Sequence, residues 1–500
     1  MITRSLIWGA FATAAALSPA FAQDSTVRIV LNEEVDLLEP CMTTRSNIGR
    51  VTLQNVNETL AFLDLRDGGG LQPKLAESWE QLDDGSWRFH LRQGVTFSDG
   101  TTFDANDVKH SFDRAMDPSI TCEVPRYFGG MTVSAEVVDE YTIDFSADPE
   151  QPILPLLLTL IAIVPEETPI EFVRDPIGTG PYALSEWTPG QRIVLTQRDD
   201  YWGEQPAVTE ATYLFRADPA VRAAMVATGE ADISPSIAAL DATNPETDFS
   251  YLDSETVYGR LDHSVTPFDD LRVRKALNLA IDREAFIGTL VPEGALLASA
   301  VYPPPTLGWN ESVEVWPYDP EEAARLLQEA AADGVATDTP ITLVGRTANF
   351  PNNVEILEAV QQMLQEAGFT VELQFYEVAE FEELYSKPYP EGRGPMIVVA
   401  MHDNSRADPS FSMYFKYASD GRQSGLDDPK ADDLINRAQA ATGEEREALW
   451  KELHAYLHDE VVADLLLFHM VGFSRVNERL DWQPTMATNS QLPLADIAFR

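Results

Sequence analysis

The stretch "LAESWEQLDDGSWRFHLRQGVTFSDGTTFDANDVKHSF", residues 75–112, carries the most ordered local grammar in the chain. Asp84-Gly85 is a turn pair, and Trp87, Phe89 and Leu91 alternate onto one face beyond it, which predicts a hairpin. A third extended piece follows, and Asp99-Gly100 marks a second turn. Asp104 is a good helix N-cap, with Asp107 three residues on as a shortened capping box. Val108, Ser111, Phe112, Ala115 and Met116 then recur at helical spacing and predict a buried helix face. None of this is catalytic. The segment has no nucleophile motif, no metal-ligand spacing and no phosphate loop.

Upstream of it, Met1 to Arg4 give a short basic start, Leu6 to Leu17 an apolar run, and Ala20-Phe21-Ala22 a small-residue site. That pattern predicts a secretory signal peptide over 1–22, cleaved before Gln23. The run is shorter than the roughly 20 residues a membrane span needs. No Cys follows it, so no lipid anchor is expected there. The mature chain is then about 478 residues, 500 less 22, and two or three domains are expected.

The formal net charge is −46, from 81 acidic against 35 basic residues, and removing Arg4 takes the mature chain near −47. Such a field disfavours nucleic acid and anionic lipid as partners. Two readings of it stay open: solubility, or a salty external medium that screens self-repulsion. Only Cys41 and Cys122 are present, too few for a four-thiolate zinc site. In an exported protein the pair is a candidate disulfide.

Downstream, "PILPLLLTLIAIVP" (152–165) reads as buried core, because prolines interrupt it and it is too short to span a bilayer. "GTGPYALSEW" and "RIVLTQRDDYW" read as two strands joined by Pro189-Gly190. After about residue 265 strands alternate with helices: "DDLRVRKALNLAIDREAFIGTL", "DPEEAARLLQEAA" capped by Asp319, and "NVEILEAVQQMLQEAG" ended by Gly368 are helices, while "ITLVGR", "TVELQFYEV", "MIVVAM" and "DLLLFH" are strands. That alternation predicts an α/β fold. No phosphate-binding loop or G-x-S-x-G elbow occurs. His454 and His458 stand one helical turn apart but lack the Glu of H-E-x-x-H, and read as two polar helix positions.

At this point three segments in order resemble one family, the extracytoplasmic solute-binding proteins of ATP-driven importers, peptide/nickel-binding group (solute-binding protein family 5). They are "PKLAESWEQLDDGSWRFHLRQGVTFSDGTTFDANDVKHSFDRAMD", "DPIGTGPYALSEWTPGQRIVLTQRDDYW" and "PFDDLRVRKALNLAIDREAFI", and the likeness runs from about residue 27 to the C-terminus. The resemblance implies a two-lobed, type II-like periplasmic-binding fold with an extra subdomain in the first lobe. The expected division is lobe I at 23–60, 179–264 and 476–500, the subdomain at 61–178 and lobe II at 265–475. It implies a periplasmic monomer without catalytic residues, cofactor or metal, which closes on a peptide or related amine-bearing solute and serves a membrane permease with its ATPase subunits.

The resemblance also nominates residues. Peptide-binding members hold the ligand's ammonium with an Asp in a W-x-x-D context, which "AMHDN" (400–404) matches at Asp403, with His402 and Asn404 beside it and Ala400 in place of the Trp. The small Ala400 implies more room. The family's carboxylate-pairing Arg has no match near Val354 and Glu355, so Arg346, Arg45 or backbone donors would serve. Thr44, Arg45 and Ser46 resemble the ligand-facing loop of the first lobe, and Thr179 to Tyr182 lie near the expected crossing between lobes. A binding protein for an oligosaccharide, opine or metal chelate, and a secreted hydrolase on the same scaffold, stay open as alternatives.

Overall fold

The computed structural model describes residues 25–500 apart from 65–69, 129–130, 305, 348 and 405–406. The expected signal peptide lies outside the described residues. Ten strands form the spine of the molecule: β1 (Thr26–Leu31), β2 (Tyr182–Thr188), β3 (Arg192–Gln197), β4 (Glu210–Phe215), β5 (Ile233–Ser234), β6 (Asp248–Arg260), β7 (Ile341–Arg346), β8 (Val371–Tyr376), β9 (Met396–Asp403) and β10 (Asp464–Val476). Their order is β8-β7-β9-β6-β10-β5-β1-β4-β3-β2. β7 runs parallel to β8 and β9, and β1 parallel to β4 and β5, while β6 pairs antiparallel with both β9 and β10.

Two lobes share this sheet. One core gathers Val27, Val51, Phe89, Phe112, Tyr213, Val476 and Leu492. Two others lie beyond β6, around Val257, Leu277 and Leu357, and around Tyr258, Tyr302 and Trp450. β6 and β10, each 13 residues long, run from the first core into the others and are the strands that join the lobes.

The 75–112 stretch folds as its chemistry dictates. Ala76–Gln81 and Trp87–Leu91 pair across the turn, with Gly85 at φ +84° where a Cβ would be strained. Phe89 packs edge-on against Phe145 at 5.7 Å. The third extended piece makes a single Thr96–Thr102 bridge instead of a strand, because Phe97 N–H turns back to Thr101 O at 2.9 Å. Both halves of the Asp104/Asp107 capping box form at helix α1 (Ala105–Met116), whose Val108, Ser111, Phe112 and Ala115 are buried. These pieces join Thr132–Asp139 and Thr142–Asp148 in a separate four-stranded sheet, the extra subdomain.

The Cys41 and Cys122 sulfurs are bonded, with the α-carbons 5.4 Å apart. His454 and His458 hold successive turns of one helix, as expected. Both are buried, His454 Nδ1 accepts from Asn310 N–H at 3.2 Å, and His458 Nδ1 is 2.7 Å from Asp459. Burial pushes the His454 ring down to about 4. Among the described residues no His, Cys, Asp and Glu cluster fits a metal ion.

Candidate functional site

Where β6 crosses between the lobes, its ladder to β10 breaks. Leu252 stands opposite Val471 and Thr256 opposite His469, four steps on β6 against two on β10. Asp253, Ser254 and Glu255 stand against the single Met470, a surplus of two residues, and a bulge of this kind re-aims side chains. The other edge stays paired, so Glu255 faces Asp403 across β6 and β9. Asn404 N–H donates to Ser254 O at 2.8 Å, and the Ser254 hydroxyl donates to Asp403 Oδ1.

Three carboxylates thus meet at the carboxyl ends of β7 and β9, where an α/β sheet places its ligands. Asp253 is 8% exposed. Burial, with the Asp403 charge added and the Glu255 N–H opposing, pushes its carboxyl up to about 7. Burial and the charges of Asp253 and Asp403 hold Glu255 well above the usual carboxylate range. Arg50 and Arg346 act in the opposite direction on Glu255 without cancelling those effects. Arg50 is itself engaged, donating to Thr488 O and Asn47 Oδ1, both at 2.9 Å. Asp253 and Glu255, whose ionisation is opposed by burial and by the Asp403 charge, are relieved by a positive charge arriving from outside.

The nominated residues fall into distinct places. Asp403 is exposed at the end of β9. His402 points to the other face of the strand, buried, with Nε2 2.7 Å from Ser412 Oγ. Burial and the nearby Lys416 keep it neutral. Asn404 is 4% exposed, and its amide donates to Val301 O at 2.9 Å while its oxygen accepts from Ser412 at 2.6 Å. Thr44, Arg45 and Ser46 precede and open a short helix, Ser46–Thr52, which carries Arg50 toward the bulge. Thr44 Oγ1 is buried without a partner among the described residues. Arg45 pairs with Asp36 at 3.2 Å.

Tyr182 is a correction. It is 0% exposed in the first core, and its hydroxyl donates to Val208 O at 2.8 Å, so the structure does not bring it to the carboxylates. Thr179 is likewise buried, bonded to Glu58 at 2.9 Å. Ala400 packs in a core of the second lobe, so its small size opens no space beside Asp403. Glu355 is exposed in the first turn of the helix Asn353–Glu366.

A recess of about 30 Å³ opens beside Asp403, walled by Tyr127, Ile153, Leu156 and Leu157 from the first lobe and Phe411 from the second. A neighbouring recess of about 90 Å³ continues past Met131 and Phe415. Tyr127 and Phe411 meet with ring centroids 5.2 Å apart. Phe411 belongs to helix α2 (Ser410–Tyr417). A wider cavity of about 500 Å³, near Gln54, Lys74 and Thr485, includes none of the three acids in its walls.

Sequence reasoning missed Asp253, Glu255, Arg50, Tyr127 and Phe411. The available signal was the run "YLDSETVY", acids inside a β-branched strand, which a bulge reconciles with burial.

The model of "Bacterial extracellular solute-binding proteins, family 5 Middle" matches residues 70–423. The chain is similar to the dipeptide-binding protein of Escherichia coli K12, 30% identical over 447 residues, covering 82% of each. It is similar to heme-binding protein A of Haemophilus influenzae, 28% identical over 448 residues, covering 82% of this chain and 81% of the other. Among solved structures, HbpA2 of Haemophilus parasuis superimposes with a TM-score of 0.84 at 19% identity, over 95% of this chain and 100% of that one.

Proposed function

The chain belongs to the bacterial extracellular solute-binding proteins of family 5, and from that premise we propose that it captures a peptide or related amine-bearing solute between its lobes for an ATP-binding-cassette importer. The observation that carries the reading is the group of Asp253, Glu255 and Asp403 at the crossing of the lobes. A carboxylate cluster that disfavours its own ionisation gains from an ammonium, and a charged hydrogen bond to Asp403 contributes about 1.5–3 kcal/mol. Arg346, at the end of β7, is the cation available for a peptide's carboxylate.

In this reading the protein is a periplasmic monomer that captures and releases without catalysis. Its first lobe is 23–60, 179–264 and 476–500, with the subdomain 61–178, and its second lobe is 265–475. The separate cores support two lobes, with Val257, Tyr258 and Leu261 already packed in the cores of the second. Closure about the β6–β10 crossing would engulf the solute, and the membrane permease and its ATPase subunits would receive it. Thr44 and Ser46 remain proposed contacts from the first lobe.

The test is isothermal titration with free dipeptides against the same peptides acetylated at the amino terminus. Binding by the free amines and at least tenfold weaker binding by the acetylated forms is expected. Equal binding of both, or binding of neither, overturns the reading. Mass spectrometry of solute retained by protein isolated from its native envelope identifies the ligand itself.

A further inference from the structure

We propose that the ligand's amine-bearing residue carries an apolar side chain, aromatic or branched aliphatic, received in the recess between Tyr127 and Phe411. This rests on the amine reading of the carboxylate group. In a peptide the terminal ammonium and the first side chain leave the same α-carbon. Whatever hollow adjoins the ammonium anchor therefore meets the first side chain. The hollow beside Asp403 is walled by Tyr127, Ile153, Leu156, Leu157 and Phe411, with Asn404, Asp408 and Ser412 on its polar side.

Among the described residues, Asn404, Asp408 and Ser412 are already engaged. Arg446 holds Asp408 through two bonds of 2.6 and 2.8 Å. The Ser412 hydroxyl donates to Asn404 Oδ1 at 2.6 Å, which leaves its oxygen to accept the His402 Nε2–H at 2.7 Å. A charged or amide side chain entering here would lose its water without finding partners among these groups, which is costly. An apolar one would bury area against rings and aliphatic carbons.

Size narrows the class. A cavity of about 150 Å³ holds a benzene molecule. The two recesses measure about 30 and 90 Å³, and Phe411 lines both. Tyr127 and Phe411 approach from opposite lobes, with Phe411 also tilted against Phe415 at 4.5 Å between ring centroids. A leucine- to phenylalanine-sized group fits by displacing this cross-lobe contact. Glycine leaves it empty.

The test is calorimetric titration of the wild type with Leu-Gly, Phe-Gly, Gly-Leu and Gly-Gly. Leu-Gly and Phe-Gly are expected to bind about tenfold to a hundredfold tighter than Gly-Leu and Gly-Gly, the range a few methylenes command in an apolar pocket. In Phe411→Ser, and independently in Leu156→Ser on the facing wall, the ratio of Leu-Gly to Gly-Gly affinity should fall toward one. Circular dichroism identifies a variant that fails to fold, and the other variant then decides. Wild-type binding of all four peptides without that preference, or a ratio unchanged in the folded variants, overturns this inference and leaves the amine reading standing. Failure of all four to bind overturns the amine reading and this inference with it.

Discussion

Asp403 has its backbone fixed by β9 and its carboxylate steered by the Ser254 hydroxyl, so it meets a ligand with little rotamer freedom left to lose. Asp403→Asn keeps the shape and removes the charge. It is expected to weaken an amine ligand about tenfold to a hundredfold, from the roughly 1.5–3 kcal/mol of a charged hydrogen bond. Unchanged affinity by calorimetry would take Asp403 out of the site. Asp253 adds a pH dependence. Its carboxyl titrates near 7 in the folded protein against an ordinary 3.8. Between those values the folded state holds a proton that the unfolded state has released. This group's contribution to stability is therefore full below about 3.8 and falls as pH rises toward 7. Asp253→Asn, which keeps the acceptor for Glu255 N–H, should raise the melting temperature at pH 8 relative to wild type and change it little at pH 4. A cationic ligand favours the ionised carboxyl, so amine binding should tighten from pH 5.5 to 7, below the roughly 7.7–8.0 at which the ligand's own α-amine loses its proton, and release protons at pH 7. Titrations in buffers of differing ionisation enthalpy measure that release, and its absence would separate Asp253 from binding.

Strands, turns and caps were the most legible elements. Asp84-Gly85, Asp104/Asp107 and Gly368 announce their conformations locally, because a positive φ or an unpaired helix N–H selects few residue types. The bulge was not legible. Nothing in "YLDSETVY" says that β10 will advance two residues while β6 advances four, since register belongs to the pair. Among 81 acidic residues, Asp253 and Glu255 are marked only by lying inside a strand-like run. Tyr127 and Phe411 belong to one site only through the approach of two lobes. The run at 152–165 was read as core, and Leu154, Leu157 and Leu158 are buried as expected. Ile153, Leu156 and Leu157 also line the recesses, because a short helix and a 3₁₀ turn present more than one face. The Cys41–Cys122 bond ties the segment before the Ser46–Thr52 helix to the segment before Tyr127, closing a separation of 81 residues. Replacing both cysteines by serine should lower the unfolding free energy by about 2–4 kcal/mol, measured by urea titration. No change would mean that neighbouring packing already holds these segments together.

For the whole molecule, ligand and closure are linked. A saturating free dipeptide should shrink the radius of gyration in solution scattering and raise the melting temperature; at a hundred times Kd the linkage reaches about 2.7 kcal/mol. Identical scattering with and without ligand would refute closure. The net charge of −46 adds a kinetic expectation. Association of a cationic peptide should slow with added salt more steeply than that of a neutral one, as screening shortens the field. The joint between the lobes has a mechanical character of its own. β6 and β10 lie side by side, hydrogen-bonded on both flanks of the bulge. Such a two-ply ribbon resists sliding and stretching in its own plane, where motion would break the ladder, and yields to flexing and torsion across that plane. The lobes are therefore soft in bending and twist but stiff in the plane of the ribbon, like covers on a spine. A solute that bridges Asp403 to the far wall works against that compliance alone and not against the packing of either lobe.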